Sequence, residues 1–194
     1  MRESDSNLNF NFDDMVGRLT AAYYRATAEE LRDGIDWYVQ AHQWCAGIAA
    51  RYGLTLEVAV AITAAMSQGQ SWDNNRMAVV SLLEGTGKCP AYKDVLSKVK
   101  NILETGDVSL LTGPKITAFY QNILDPWRSE AITVDRWMAR LAVEGWEGKL
   151  TVTPSRYNRI APAIAEAARM VGLSAFQFQA VVWLVARREA GFQN

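Results

Sequence analysis

Helix-capping residues recur along the whole sequence, and this pattern limits the possible folds more than any other feature of the chain. Thr27 and Glu30 have the spacing of a capping box, and Gly53 stands where the helix that they open would end. Thr55 can cap the next helix, whose residues are apolar nearly all round. Strand-like alternation of apolar and polar residues is almost absent. The sequence therefore predicts an all-α fold of eight to ten helices, with the helix after Thr55 at its centre.

The other predicted helices are marked by the same residue types. A cap residue, a proline at the first position or a closing glycine bounds each of them. One helix is expected from an Asp73 cap to Gly85, and the next over Ala91–Glu104, with Gly106 after its end. A third is expected from Lys115 to about Leu124, with Pro114 before it. Three more are expected to begin near Asp135, at Thr153-Pro154, and at Ser174 with Gln177.

Length and composition are those of one globular domain. The chain has 194 residues, of which 49% are hydrophobic and 21% charged, and a chain of this size buries roughly 70% of its unfolded surface. Residues 1–11 are polar and lack the apolar run of a signal peptide, so we expect a tail, one helical domain over 12–194 and a cytoplasmic location. The longest nearly uncharged run, Val58 to Trp72, is too short to cross a bilayer, which argues against a membrane partner. We expect a monomer.

Metal chemistry has few candidate ligands in this sequence. Cys45 and Cys89 are the two cysteines, and His42 is the one histidine. A four-cysteine zinc or iron–sulfur site and the zinc triads that need two or three histidines are therefore excluded. We expect no metal and no cofactor, a His42 that is packed or at an edge, and cysteines that stay reduced.

Charge is divided unevenly between the two halves of the sequence. The formal net charge of -1 argues against indiscriminate binding of polyanions. Residues 1–97 hold 8 basic and 12 acidic side chains, whereas residues 98–194 hold 12 basic and 9 acidic ones. A nucleic-acid interface is therefore expected in the second half.

Lys115 and Asp135 are the residues with the clearest chemical potential, because each lies at or beside a predicted helix start. A tight turn at Thr112-Gly113-Pro114 precedes Lys115. Gly113 would let a phosphodiester approach the unpaired amides and the positive end of the helix dipole. An aspartate at a helix start is usually only a cap, and Gly-Pro-Lys is usually only a turn. A functional role for Asp135 and Lys115 therefore depends on the residues around them.

The segments around these two residues resemble the helix-hairpin-helix DNA glycosylases, the superfamily of endonuclease III and 8-oxoguanine glycosylase. Residues 134–140, Val-Asp-Arg-Trp-Met-Ala-Arg, match the family's Val-Asp-x-x-x-x-Arg motif closely. Residues 111–115, Leu-Thr-Gly-Pro-Lys, match its Leu-Pro-Gly-x-Gly-x-Lys-x-Ala hairpin less closely, and residues 65–72 are similar to its Leu-Ser-Gln-Gln-Thr segment. The likeness covers about Ile62 to Leu141 in the family's order, without the cysteine-ligated cluster of many members.

The resemblance implies two helical lobes around a cleft, a helix-hairpin-helix at about 107–125, and a glycosylase that flips a damaged or modified base out of double-stranded DNA. Asp135 would stabilise the oxocarbenium-like transition state as the N-glycosidic bond breaks. Lys115 would attack C1′ and form a Schiff base, which adds AP-lyase activity. The implied DNA-binding residues are Thr112, Gly113, Lys115, Gln68, Gln70 and Arg136, and the implied base-pocket residues are Trp72, Tyr120 and Trp137.

Three alternatives stay open at this point. A shifted hairpin alignment places Ile116 at the family's lysine position, so that Lys115 would contact phosphate and the enzyme would lack lyase activity. A glycosylase-like fold can also modify a flipped base without excising it, as in hypermodification of viral thymines. The hairpin can instead serve as a non-catalytic module that holds DNA for a partner. Each alternative predicts a different outcome on DNA.

Overall fold

Nine α-helices make up most of the chain that the computed structural model describes, which is Asp5 and residues 7–86, 93–146 and 150–192. A 3₁₀ helix (Val108–Leu110) and an isolated bridge between Asn9 and Glu144 are the other regular elements of those residues. The all-α prediction is confirmed. In chain order the helices are α1 (Phe12–Tyr24), α2 (Ala28–Tyr52), α3 (Leu56–Met66), α4 (Trp72–Glu84), α5 (Lys93–Thr105), α6 (Pro114–Leu124), α7 (Arg136–Ala142), α8 (Pro154–Val171) and α9 (Ala175–Glu189).

The chain divides into two units, each with its own hydrophobic core. The terminal unit comprises Met1–Tyr38 and Arg128–Asn194, and the middle unit comprises Val39–Trp127. Residues from both ends of the sequence therefore share one core. Asp135 belongs to the terminal unit and Lys115 to the middle unit.

In the terminal unit, α1 packs against α7, α8 and α9. The largest fully buried side chains there include Leu19, Met138, Ile160 and Phe178. Burial of one side chain of this size contributes about 1.5–3 kcal/mol relative to exposure. Because Met138 is part of this core, the first turn of α7 is fixed by packing against it.

The segment predicted to be a polar tail contacts the terminal unit at its described residues. Phe10 is buried, and the Asn9 amide donates to the Glu144 carbonyl at 3.0 Å. Asp5 pairs with the buried guanidinium of Arg156 at 2.7 Å. A buried arginine requires such a partner, so Asp5 of this segment serves to pair Arg156.

α3 is the centre of the middle unit, as its apolar sequence predicts. Every residue from Val58 to Met66 is buried, and α4, α5 and α6 all pack against this helix. The Thr55 hydroxyl caps the helix by accepting from the Val58 amide at 3.3 Å. Thr63, a polar residue within the run, donates to the Ala59 carbonyl at 2.7 Å and is thereby satisfied inside the helix.

Among the described residues, no single helix is long and apolar enough to cross a bilayer. Two helix pairs, α2 with α3 and α8 with α9, reach that length and hydropathy only together and across a sharp bend. The least charged run of the sequence lies largely in α3, which is buried in the middle unit.

The capping box at the start of α2 is confirmed. The Thr27 amide donates to the Glu30 carboxylate at 2.8 Å, and the Glu30 amide donates to the Thr27 hydroxyl at 3.1 Å. The predicted starts of α8 behind Thr153 and of α9 behind Ser174 are confirmed too. The predicted helix start at Ala91 lies outside the described residues.

The predicted Asp73 cap is wrong, because α4 begins two residues earlier. Ser71 is the N-cap residue, and its hydroxyl accepts from the Asn74 amide at 3.3 Å. Asp73 lies within the first turn, where it forms an exposed ion pair with Arg76. Serine and aspartate are both favoured caps, so residue type alone does not choose between them.

α2 and α9 approach each other closely at Gly34. A Cβ added there would lie 2.6 Å from the Cα of Val181, and a backbone atom cannot move away cheaply. We expect Gly34→Ala to lower the free energy of unfolding in urea by about 1–3 kcal/mol. Gly47→Ala is the control on the same helix, where a Cβ meets nothing within 4 Å. It is expected to raise the stability by about 0.5–1 kcal/mol. Equal stabilities of wild type and Gly34→Ala would contradict the close approach.

Candidate functional site

The turn before α6 leaves the first amides of that helix without a side-chain cap. Gly113 is the N-cap residue, and its φ of 88° is a left-handed conformation that favours glycine. Nothing lies within 4 Å of the position that its Cβ would occupy. Pro114 follows at the first helical position, where a missing N–H costs little. The predicted turn and helix start are confirmed, and the open helix terminus can accept an anion such as a phosphate.

Two lysines border this turn. Lys98 of α5 donates to the Thr112 hydroxyl at 2.8 Å, which brings its ammonium beside an exposed threonine. Lys115 is partly exposed, whereas the next residue, Ile116, is only 8% exposed. Ile116 therefore lies on the packed face of α6 and Lys115 at an accessible edge, which favours Lys115 as the residue that meets a ligand. No local sequence signal marks Lys98, which reaches the turn from 14 residues away.

The two glutamines predicted to contact DNA lie at the C-terminal end of α3. Gln68 Nε2 donates to the Ala65 carbonyl at 3.5 Å, and Gln70 Nε2 donates to the Met66 carbonyl at 3.1 Å. The last carbonyls of a helix have no partner within that helix. Both side chains therefore contribute to the fold, and their contact with DNA stays a prediction.

Trp72 and Tyr120 are the predicted base-pocket residues of the middle unit. Trp72 meets Trp44 edge to face with ring centroids 5.5 Å apart, and the Arg76 guanidinium lies 5.9 Å from the Trp72 ring. Tyr120 packs against the core, and burial together with the Glu57 carboxylate raises the pKa of its hydroxyl. Both rings are partly exposed, so each keeps surface that a base can meet. Their role in a pocket stays a prediction.

Asp135 is the N-cap residue of α7 and uses one carboxylate oxygen for the cap. Its Oδ1 accepts from the Trp137 amide at 2.9 Å and from the Met138 amide at 3.0 Å. The side chain before it, Val134, is fully buried, whereas Asp135 itself is half-buried. The predicted helix start is confirmed, and the buried neighbour fixes the backbone from which the carboxylate projects.

The second oxygen of Asp135 is bound by a residue of α9. Trp183 Nε1 donates to Oδ2 at 3.0 Å. The Trp183 ring meets Trp37 edge to face with centroids 6.3 Å apart, and the Arg187 guanidinium lies 4.7 Å from the Trp183 ring centroid. These aromatic and cation–π contacts hold the indole in place. No local sequence signal marks this partner, which is 48 residues from Asp135.

Trp137 and Arg136, predicted to contact base and DNA respectively, follow Asp135 on α7. The Trp137 ring lies edge-on to Phe192 at 5.4 Å, and the Arg140 guanidinium lies 5.1 Å from its centroid. Arg136 is exposed. The arginines on this helix bring positive charge to the surroundings of Asp135, which suits an anionic ligand. Both predicted contacts stay predictions.

Buried hydrogen bonds support the segment that precedes Asp135. The Tyr38 hydroxyl donates to Gln179 Oε1 at 2.8 Å and lies 3.1 Å from the Thr133 hydroxyl, and all three side chains are buried. The Tyr157 hydroxyl donates to the Ile132 carbonyl. Burial raises the pKa of Tyr157 to about 12, so this hydroxyl remains a donor at neutral pH. Hydrogen bonds therefore hold both Ile132 and Thr133, the residues that come shortly before Asp135.

His42 and Cys45 are engaged in contacts within the fold. His42 Nδ1 lies 2.9 Å from the Ile123 carbonyl, and the ring contacts Trp127 at 4.9 Å. Burial raises the pKa of the Cys45 thiol to about 12, which keeps it neutral. In the parts of the chain that the structure describes, no three His, Cys, Asp or Glu side chains are grouped as a metal site. Cys89 lies outside them.

These observations define an all-helical protein with a lysine-bordered, open helix terminus in one unit and a carboxylate fixed at both oxygens in the other. The sequence matches, over residues 1–190, the model of a family described as "Family of unknown function (DUF7178)", and the chain belongs to that family. No curated protein and no solved structure matches the chain. The convergence of Lys115 and Asp135 on one substrate stays a prediction.

Proposed function

We propose that this protein is a DNA glycosylase, which flips a damaged or modified base out of duplex DNA and cleaves its N-glycosidic bond. The observation that carries the proposal is the state of Asp135. Its carboxylate is half-buried and accepts hydrogen bonds at both oxygens, within a Val-Asp-x-x-x-x-Arg sequence. A carboxylate that only capped a helix would need one of these oxygens.

The chemistry requires a fixed negative charge beside a sugar that becomes positive. When the C1′–N bond breaks, its electron pair leaves with the base, which takes up a proton, and the sugar becomes oxocarbenium-like. An anion that is already oriented stabilises this charge without reorganising. Asp135 supplies that anion in the proposed reaction.

Two routes complete the reaction. Water adds to C1′ and loses a proton, which leaves an abasic site. Alternatively the Lys115 amine adds to C1′, the sugar ring opens, and the resulting imine permits β-elimination of the 3′ phosphate. The second route passes through a covalent protein–DNA intermediate, and the first does not.

DNA binding in this proposal uses the turn before α6. Its uncapped amides, the open space beside Gly113 and the ammonium groups of Lys98 and Lys115 suit a backbone phosphate. Arg136 adds a cation beside Asp135. We further propose the helix-hairpin-helix glycosylase fold. In this proposal Gln68 and Gln70 lie at the gap in the stack, and Trp72, Tyr120 and Trp137 contact the flipped base.

The test uses the full chain and a set of labelled duplexes, each with one uracil, 5-hydroxymethyluracil or 8-oxoguanine. We expect one of them to acquire an alkali-labile abasic site, and mass spectrometry to show loss of the base. A strand that becomes heavier would indicate base modification without excision. Unaltered DNA with salt-dependent affinity would indicate a binding module. Either of these results would contradict the glycosylase proposal.

A further inference from the structure

The Asp135 carboxylate has one acceptor position beyond those that donors of the described residues occupy. An ionised carboxylate has about four lone-pair sites, two on each oxygen. Oδ1 accepts from the Trp137 and Met138 amides, and Oδ2 accepts from Trp183 Nε1. Considering donors from the described residues only, one site on Oδ2 is left for a ligand.

The cap alone does not orient that site. Both backbone amides converge on Oδ1, so the carboxylate could still turn about this atom and carry Oδ2 through an arc. The indole N–H of Trp183 removes this freedom, because the ring is itself held by Trp37 and Arg187. Misplacement of a reacting group by about 1 Å can cost about 100-fold in rate.

We propose that Trp183 positions Asp135. The indole N–H of Trp183 holds Oδ2 so that its remaining lone pair is directed toward the reacting sugar. The inference rests on the proposed function and adds a residue that lies outside the Val-Asp-x-x-x-x-Arg sequence. Indole suits this task because it is a donor only and does not titrate. Its N–H therefore remains a donor throughout the pH range in which the protein is folded.

Trp183→Phe removes the N–H and keeps an aromatic ring against Trp37 and Arg187. We expect the single-turnover rate of base release to fall about 10- to 100-fold, the effect of one hydrogen bond to a charged group, with unchanged affinity for an unmodified duplex. Trp146→Phe is the matched control in the same unit. Trp146 Nε1 is buried without a hydrogen-bond partner among the described residues, so its loss breaks no bond, and we expect an unchanged rate.

A double-mutant cycle with Asp135→Asn separates positioning from general structure. If Trp183 acts through Asp135, Trp183→Phe does not lower the residual rate of the Asp135→Asn protein any further, because the indole N–H no longer meets a carboxylate oxygen there. Independently of activity, we expect the Trp183 indole proton, assigned in NMR spectra by its loss in Trp183→Phe, to shift in Asp135→Asn.

Equal rate losses in both backgrounds, or an indole signal indifferent to Asp135→Asn, would overturn the positioning role and leave the proposed function standing. A wild-type protein that releases no base from any duplex would overturn the proposed function, and this inference with it.

Discussion

Asp135→Asn is expected to lower the single-turnover rate of base release by about 100-fold or more, because the negative charge beside the sugar is lost. The amide oxygen of asparagine can still cap α7. The amide N–H₂ then faces the Trp183 N–H, and two opposed donors should cost about 1–2 kcal/mol of stability. Alkaline cleavage of a labelled duplex gives the rate, and urea denaturation gives the free energy of unfolding.

Asp13→Asn is the matched control for this charge change. Asp13 is an exposed carboxylate in the first turn of α1, in the same unit, and plays no part in the proposed reaction. We expect it to release the base at the wild-type rate. A rate for Asp135→Asn within about tenfold of wild type would show that the carboxylate contributes less than about 1.4 kcal/mol, which is too little for the role assigned to it.

Helix positions follow from the sequence because caps are local. Thr27 with Glu30 and Thr55 each make, within three residues, the hydrogen bonds that their spacing predicts. Asp73 was a wrong prediction because Ser71, an equally good cap type, stands just before it. Trp72, the first residue of α4, packs against Trp44, and this contact is distant in sequence. Local residue types contain no information about a tertiary contact of that kind.

Parts of the candidate site could be located from the sequence where two local signals coincide. Gly113 combines a conformational requirement with a helix start, and Asp135 combines a cap with the buried Val134. Lys98 and Trp183 could not be located, because their side chains reach Thr112 and Asp135 from other helices. Periodicity indicates which face of a helix is buried but not which distant side chain meets it.

Lys115→Ala is expected to abolish the covalent adduct that borohydride traps between the protein and DNA. Borohydride reduces the imine between the lysine amine and the opened sugar to a stable secondary amine, and alanine has no amine to form one. The adduct is measured as a shifted band of labelled DNA in a denaturing gel. Loss of one phosphate contact should also reduce the salt dependence of DNA affinity by about one unit of slope.

Lys115→Arg distinguishes a nucleophile from a phosphate contact. Arginine keeps the positive charge, but its guanidinium stays protonated and cannot attack C1′. If Lys115 is the nucleophile, the arginine variant binds DNA with nearly the wild-type salt dependence and yields no adduct. If Lys115 only contacts phosphate, the wild type already releases the base without an adduct, and the arginine variant retains that activity. Lys100→Ala removes an exposed lysine of α5 and is expected to leave the adduct intact. An adduct that survives Lys115→Ala would assign the nucleophile to another amine.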